Sequence, residues 1–383
     1  MAEPLRLFVL AGEASGDRIG AYLVRRLRER TELAVTGVGG AELSAEGLSS
    51  LFPMSDLSVM GWSDVLVRLP LLLWRARQAA DAIIRNRPDV VVLIDSQVFT
   101  RVVAERVRRA GSAVPMVLYV APAVWVWAPE RAARLKPLFD EVLAVLPFEP
   151  KVMADLGGPP TTYVGHPALT RQAMRESQPE RGPFLLLPGS RAGELRRHLG
   201  LMREAVAVLR DHHKVSGFVL PTLTHLRDRL VAETGDWAAP VEVVTGEARD
   251  QAFAKAVGAF AVSGTVTLEL AMAGVPMVVT YAGDRGQAKR YARLEKPPMV
   301  GLPNIVAGRE VVPELLFPSE VDTSRVGPAL RRLLDNPAAM AAQVAAFGEI
   351  RALMHKGAPE APLVDPAERV LAVAAQPRLA IGS

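Results

Sequence analysis

Short apolar runs alternate with helix-period stretches along the whole chain, the pattern that parallel βαβ units write into a sequence. The first run, Leu7–Leu10, leads into a glycine turn and a helical stretch over Gly16–Glu29. Val90–Ile94 follows Pro88-Asp89, and its unbroken apolarity suits a strand covered on both faces. A helix with Val102, Val103 and Val107 on one stripe comes next, then the run Met116–Val120; Val142–Leu146 and Tyr163-Val164 read as the last strands of this half. Residues 167–183 lose the pattern and carry three prolines, which places an interdomain linker there. The pattern then restarts. Phe184–Leu187 leads into Pro188-Gly189-Ser190 and a helix to about Arg210, followed by strand candidates at Gly217–Leu220, Val241–Val244, Ala259–Val262 and Met277–Tyr281, and a helical tail from Ala338. Two α/β halves that each open on a strand and a glycine turn predict paired Rossmann-like domains facing a cleft. Ligands are then expected beyond the carboxyl ends of the strands.

Composition changes this picture little. At 383 residues the chain is long enough for two or three domains. Lys and Arg number 45 against 41 acids, a mild excess with no basic run interleaved with aromatics, so no nucleic-acid partner is expected. A basic chain with apolar patches suits an anionic membrane surface instead. The absence of cysteine excludes disulfides, thiolate nucleophiles and Cys-ligated zinc. The apolar stretch before Gly12 is too short for a signal peptide, and no run approaches the roughly 18 residues of a spanning helix. A soluble or peripheral cytoplasmic protein is the expectation.

Candidate chemistry collects at the turns after strands. Gly12-Glu13-Ala14-Ser15-Gly16-Asp17 puts two glycines and two acids at one mouth; the plain alternative is a strand-to-helix turn with Ser15 as N-cap. Asp95, at the end of Val90–Ile94, suits a general base, with simple capping of the next helix as the alternative. Pro188-Gly189-Ser190-Arg191-Ala192-Gly193-Glu194 offers backbone N–H groups and a guanidinium to a diphosphate, but it lacks the Gly-Lys-Ser/Thr ending of a P-loop. Ser263-Gly264-Thr265-Val266-Thr267-Leu268-Glu269 repeats the strand–turn–helix arrangement, with Glu269 able to accept ribose hydroxyls. Two such turns in one half point to a nucleotide-diphosphate donor. Asn304 and Arg309, in Leu302–Glu310, sit in a loop that either closes on a donor or is structural. Met60, Trp62, Val65, Leu66, Leu69, Leu72, Leu73 and Trp74, interspersed with Arg68 and Arg75 and interrupted by Pro70, suit a membrane or acyl-chain interface, against the alternative of a buried helix. His212-His213 reads as a solvated helix end. No Asp-x-Asp, Gly-x-Ser-x-Gly or His-Glu-x-x-His is present.

Taken in order, AGEASGD (11–17), LSVMGW (57–62), PDVVVLID (88–95), VWVW (124–127), LPFEP (146–150), VGHP (164–167), LPGSRAGE (187–194), SGTVTLELAMAGVPMVVTY (263–281) and LPNIVAGRE (302–310) resemble the lipid-A-disaccharide synthase family over residues 5 to 355. The resemblance implies a GT-B fold. Its domains would be an acceptor- and membrane-facing one over 1–170, a UDP-sugar-binding one over 171–350, and a C-terminal helix and tail over 351–383 that in such folds often crosses back to the first. The implied reaction is inverting transfer from UDP-2,3-diacylglucosamine to 2,3-diacylglucosamine 1-phosphate, giving the lipid A disaccharide and UDP, with no metal and no cofactor. By the same likeness Asp95 is the base, with Glu13, Ser15 and Gly16 nearby. Arg191 and Ser190 steady the departing UDP with Gly264, Thr265 and Thr267. Glu269, Asn304 and Arg309 complete the donor pocket, and the 59–74 segment receives acyl chains at the inner face of the inner membrane. A homodimer is left open.

Two positions depart from the family pattern. After Asp95 the family usually reads Ala/Ser-Pro-Asp-Phe-Asn, whereas this chain reads Ser96-Gln97-Val98-Phe99-Thr100, so an acid is lost at 98. After Trp127 stand Ala128 and Pro129, where a basic or polar residue is usual. Another UDP-sugar GT-B enzyme, with a different acceptor or an epimerase activity, is the nearest rival reading, and a catalytically silent homologue the second.

Overall fold

The computed structural model describes residues 3–57, 62–125, 128–167, 169, 173–283, 299–317 and 321–376, with the backbone alone over 62–67. The chain divides into two compact units, Met1–Pro167 with Met354–Ser383, and Ala168–Leu353.

The first unit runs β1 (Leu5–Ala11), α1 (Ala14–Arg28), β2 (Leu33–Val38), α2 (Ala41–Ala45), α3 (Trp62–Asn86), β3 (Val90–Ile94), α4 (Gln97–Arg109), β4 (Met116–Tyr119), α5 (Glu130–Leu135), β5 (Glu141–Ala144), α6 (Glu149–Asp155) and β6 (Thr161–Tyr163). Its strands form one sheet in the order β2-β1-β3-β4-β5-β6, parallel at every pairing. All five residues of β3 are buried, as a strand covered on both faces requires. The direction of winding reverses between β1 and β3, and their register sets Ala11 level with Ile94. The turns after these two strands therefore leave the sheet side by side.

The second unit runs β7 (Gly182–Leu187), α7 (Ala192–Leu209), β8 (Val215–Pro221), α8 (Arg227–Thr234), β9 (Val241–Val244), α9 (Glu247–Lys255), β10 (Gly258–Val262), α10 (Thr265–Met272), β11 (Met277–Ala282), α11 (Leu302–Ala307), β12 (Glu314–Phe317), α12 (Val326–Asp335) and α13 (Pro337–Lys356). Its parallel sheet has the order β12-β11-β10-β7-β8-β9, so the reversal lies between β7 and β10. Beyond α13, a short hairpin of β13 (Gly357–Ala358) and β14 (Ala361–Pro362) leads to α14 (Pro366–Ala374).

This last segment belongs to the first unit. Asp365 caps α14 by accepting the Ala367 N–H at 2.8 Å, and it forms ion pairs with Arg26 of α1 and with Arg30 in the turn just beyond that helix. Arg369 binds Glu141 through two hydrogen bonds of 2.9 and 2.8 Å, and the Tyr163 hydroxyl donates to the Met354 carbonyl at 2.5 Å.

Several expectations are corrected here. The helix over 62–86 continues through Pro70: proline withdraws one N–H donor without ending a helix anchored on both sides. β2 and β12 were not anticipated; both are edge strands, and β2 is mostly half-buried with a glycine inside it, which weakens the periodic signal. His212 is no solvated end, because its ring is buried and bonds Asp335 at 3.0 Å.

Candidate active site

In the first unit the polar residues converge where β1 and β3 end. Glu13 is the N-cap of α1 and stands exposed beside exposed Ser15, so the helix starts before the serine. Gly12 lies so close to Ser96 that an added Cβ would sit 2.0 Å from the Ser96 Oγ; glycine is what lets the two turns approach. Asp95 and Ser96 adopt φ of 51° and 43°, and Val120, at the end of neighbouring β4, adopts 78°. Three side-chain-bearing residues in left-handed backbone, on two adjacent strand ends, are held by tertiary bonds such as Asp95 N–H to the Tyr119 carbonyl (2.9 Å) and the Thr100 hydroxyl to the Asp95 carbonyl (3.0 Å). Strain of this kind persists where the surroundings over-determine a conformation, and it clusters at functional sites.

Asp17 turns out differently from its sequence reading. It is buried, and its carboxylate accepts the N–H groups of Gly40, Glu42 and Leu43 at 2.7 to 3.2 Å, so it caps α2 instead of sharing the mouth with Glu13. Glu149, in the 146–150 string, is also fully buried. Burial pushes its carboxyl up to about 8, against the opposing effect of two N–H bonds from Leu146 and Val145.

In the second unit a cavity of about 310 Å³ opens at the reversal between β7 and β10, lined by Ser190, Arg191, Glu194, Arg249, Gly264 and Thr265 among others. Arg191 is 80% exposed along its side chain and pairs with Glu194 Oε1 at 3.3 Å, a solvent-facing contact that a ligand can displace. The N–H groups of Ser190 and Arg191, expected to be open to a diphosphate, are occupied: both donate to Glu194 Oε2, at 3.1 and 3.2 Å. Gly189, at φ 93°, has the room that Glu194 needs, since an added Cβ would meet that carboxylate at 2.5 Å. Glu194 thus completes a capping box on α7 and holds an anion's place at the turn.

The remaining donor-side residues divide. Glu269 forms an ion pair with Arg249, and both are largely buried. Thr267 is fully buried: its hydroxyl donates to the Gly264 carbonyl and accepts the Leu302 N–H, tying α10 to α11. Asn304 is likewise buried. It donates to the Val312 carbonyl and Glu314 and accepts from the Val311 and Val312 N–H groups, which uses all the capacity of an amide. Thr267 and Asn304 therefore shape the walls of the loop and present no polar atom to a donor. Arg309 pairs with Glu349 of α13 at 2.7 Å, outside the cavity lining. On α3, Leu69, Leu73 and Trp74 are 42, 41 and 55% exposed, while Leu72 packs against the core. The side chains of Trp62, Val65 and Leu66, and all of Met60, lie outside the described residues.

Comparison with known proteins decides the family. The family model described as lipid-A-disaccharide synthetase matches residues 7–360. Lipid-A-disaccharide synthases from Nitrobacter hamburgensis and Rhodopseudomonas palustris are 42 and 43% identical over 363 and 364 residues, covering 92% of this chain and 91 and 92% of theirs. The chain belongs to the lipid-A-disaccharide synthase family. It is therefore a glycosyltransferase of lipid A synthesis that takes a UDP-sugar donor. Among solved structures, the calicheamicin glycosyltransferase superposes with a TM-score of 0.58 at 18% identity, covering 97% of this chain and 98% of that one. The UDP-GlcNAc 2-epimerase from Neisseria meningitidis bound to UDP-GlcNAc gives 0.56 at 13%, covering 91 and 97%. These likenesses show the GT-B fold and nothing finer.

Within the family frame, Arg249 is the residue the sequence reading missed. It lies three residues after Gly246 in the turn that follows β9, another strand–glycine–helix join of the kind already singled out. Its side chain also packs over the Phe253 ring at 5.2 Å.

Proposed function

We propose that the protein transfers 2,3-diacylglucosamine from its UDP conjugate to the 6-hydroxyl of 2,3-diacylglucosamine 1-phosphate, with inversion. Asp95 takes the proton from the acceptor hydroxyl as its oxygen forms a bond to the donor's anomeric carbon. The bond from that carbon to UDP breaks, and the electron pair leaves on the diphosphate. Arg191 and Arg249 offset the developing charge, with the Ser190 and Gly264–Thr265 turns alongside. Glu269, released from Arg249, accepts the ribose hydroxyls. The reading is carried by one observation: Asp95 and Arg191 each follow the strand at the winding reversal of their own sheet, where α/β folds bind ligands. Exposed Leu69, Leu73 and Trp74 support a peripheral attachment to the cytoplasmic face of an anionic membrane. No described helix is long and apolar enough to cross one.

The test is UDP release from UDP-2,3-diacylglucosamine with and without the phosphorylated acceptor, in neutral detergent. Acceptor-dependent release with a disaccharide product is expected, and Asp95→Asn lowers kcat about 100-fold or more while leaving UDP binding intact. Release that ignores the acceptor, or an Asp95→Asn variant near wild-type activity, overturns the reading. Interconversion of UDP-GlcNAc without transfer would favour an epimerase.

A further inference from the structure

A second cavity, of about 180 Å³, lies in the first unit against the opening turns of α4. It is smaller than the roughly 300–1,000 Å³ that enclose a whole ligand, so it suits one group of a larger molecule. Leu118 and Phe139 form an apolar floor, while Arg101, Arg131 and Arg134 stand around it with Val98. No carboxylate is among its lining residues. Arg101 has only a long contact to Glu105, at 3.7 Å, and Glu105 is shared with Arg109 at 3.0 Å. Arg131 and Arg134, exposed on α5, have no ionic partner among the described residues. Like charges drawn together without a counter-ion repel one another, and their natural complement is a multiply charged oxyanion that accepts several N–H bonds at once.

We infer that this cavity holds the phosphate monoester of the acceptor, with Arg131 and Arg134 as its specificity-determining contacts and Arg101 completing the clamp. The inference rests on the acceptor proposed above. Its position supports it. Arg101 stands four residues into α4 from Gln97, a helical rise of about 6 Å, and Asp95 ends the turn just before that helix, so a phosphate at one end of a hexose leaves a hydroxyl at the other end toward the Asp95 turn. Val98, 73% exposed at this cavity, places no negative charge among the guanidinium groups. In this chain the clamp keeps its full positive charge.

The experiment compares wild type with Arg131→Gln/Arg134→Gln in neutral detergent at saturating donor, using 2,3-diacylglucosamine with and without its 1-phosphate. Wild type is expected to prefer the phosphorylated acceptor in kcat/KM. The double variant should raise the KM for that acceptor by roughly tenfold or more, as lost charge-assisted bonds imply, with donor KM unchanged and the preference abolished. Arg131→Lys/Arg134→Lys, which keeps charge but not the planar fork, should recover part of the preference. A glutamine variant that discriminates as wild type does overturns the inference, as does an effect seen only on vesicles of anionic phospholipid, which would mark the arginines as membrane contacts. Wild type inactive on both acceptors, yet binding glucosamine 1-phosphate in calorimetric titration in a manner that the glutamine variant loses, would remove the acceptor assignment and leave the phosphate site standing.

Discussion

The short polar strings contain residues of the same type that do opposite jobs. Glu13 and Asp17 are four positions apart, yet one stands in solvent and the other is buried against three backbone N–H groups. Glu149 shows what such burial does to an acid. Its pKa in the folded protein, about 8, is far above the unfolded value of roughly 4.3. Between those values the folded state keeps a proton that the unfolded state has lost, so this group's contribution to stability falls as pH rises through the window. Glu149→Gln removes the titration while keeping an oxygen for the Val145 and Leu146 N–H groups. The melting temperature of the variant relative to wild type should therefore climb from pH 5 to pH 8, as read by calorimetry at several pH values; a constant difference would refute it.

At the scale of elements, α3 is the one whose exposed face is hard to explain by packing within its own unit. Arg75 is fixed there by its 2.6 Å ion pair with Asp56 and lies over the rings of Phe52 and Trp74, at 4.7 and 4.2 Å. Trp74 is thus braced outward, next to exposed Leu73. Replacing Leu69, Leu73 and Trp74 together by Ser should weaken cosedimentation with anionic vesicles by about tenfold or more, because the apolar area buried at an interface sets most of the affinity. The unfolding temperature should move much less than for a core substitution, since these side chains are only about half covered. Unchanged vesicle binding would place the contact elsewhere.

For the molecule as a whole, the chain's end is an integral part of its first unit. Glu141, at the start of β5, is 2% exposed and receives the Arg369 fork from α14 together with the Thr162 hydroxyl at 2.6 Å. Removing the arginine would strand a buried carboxylate, a loss on the order of 3 kcal/mol. Arg369→Ala should therefore lower the midpoint of chemical denaturation of the first unit and expose the 357–365 segment to protease. A midpoint equal to wild type would show that α14 contributes nothing to that unit.

Strand positions and fold class were legible in the sequence for a physical reason: parallel strands covered on both faces must be continuously apolar, so β1, β3, β7, β10 and β11 announce themselves. The strand-end turns were equally legible, since only small and polar residues tolerate such joins, and their ordered strings were enough to suggest the family. Edge strands β2 and β12 carry no such demand and left no clear mark. Tertiary structure alone decided which way each polar side chain faces. A string such as Gly-Ser-Arg-Ala-Gly-Glu reads the same whether its acid awaits a ligand or, like Glu194, closes on its own backbone N–H groups, and nothing local told Asn304 to hold its loop. Arg249, and the group of Arg101, Arg131 and Arg134, depend on elements far apart in the chain. Periodicity records burial over a few residues, while the meeting of charges across elements is set by sheet order and register.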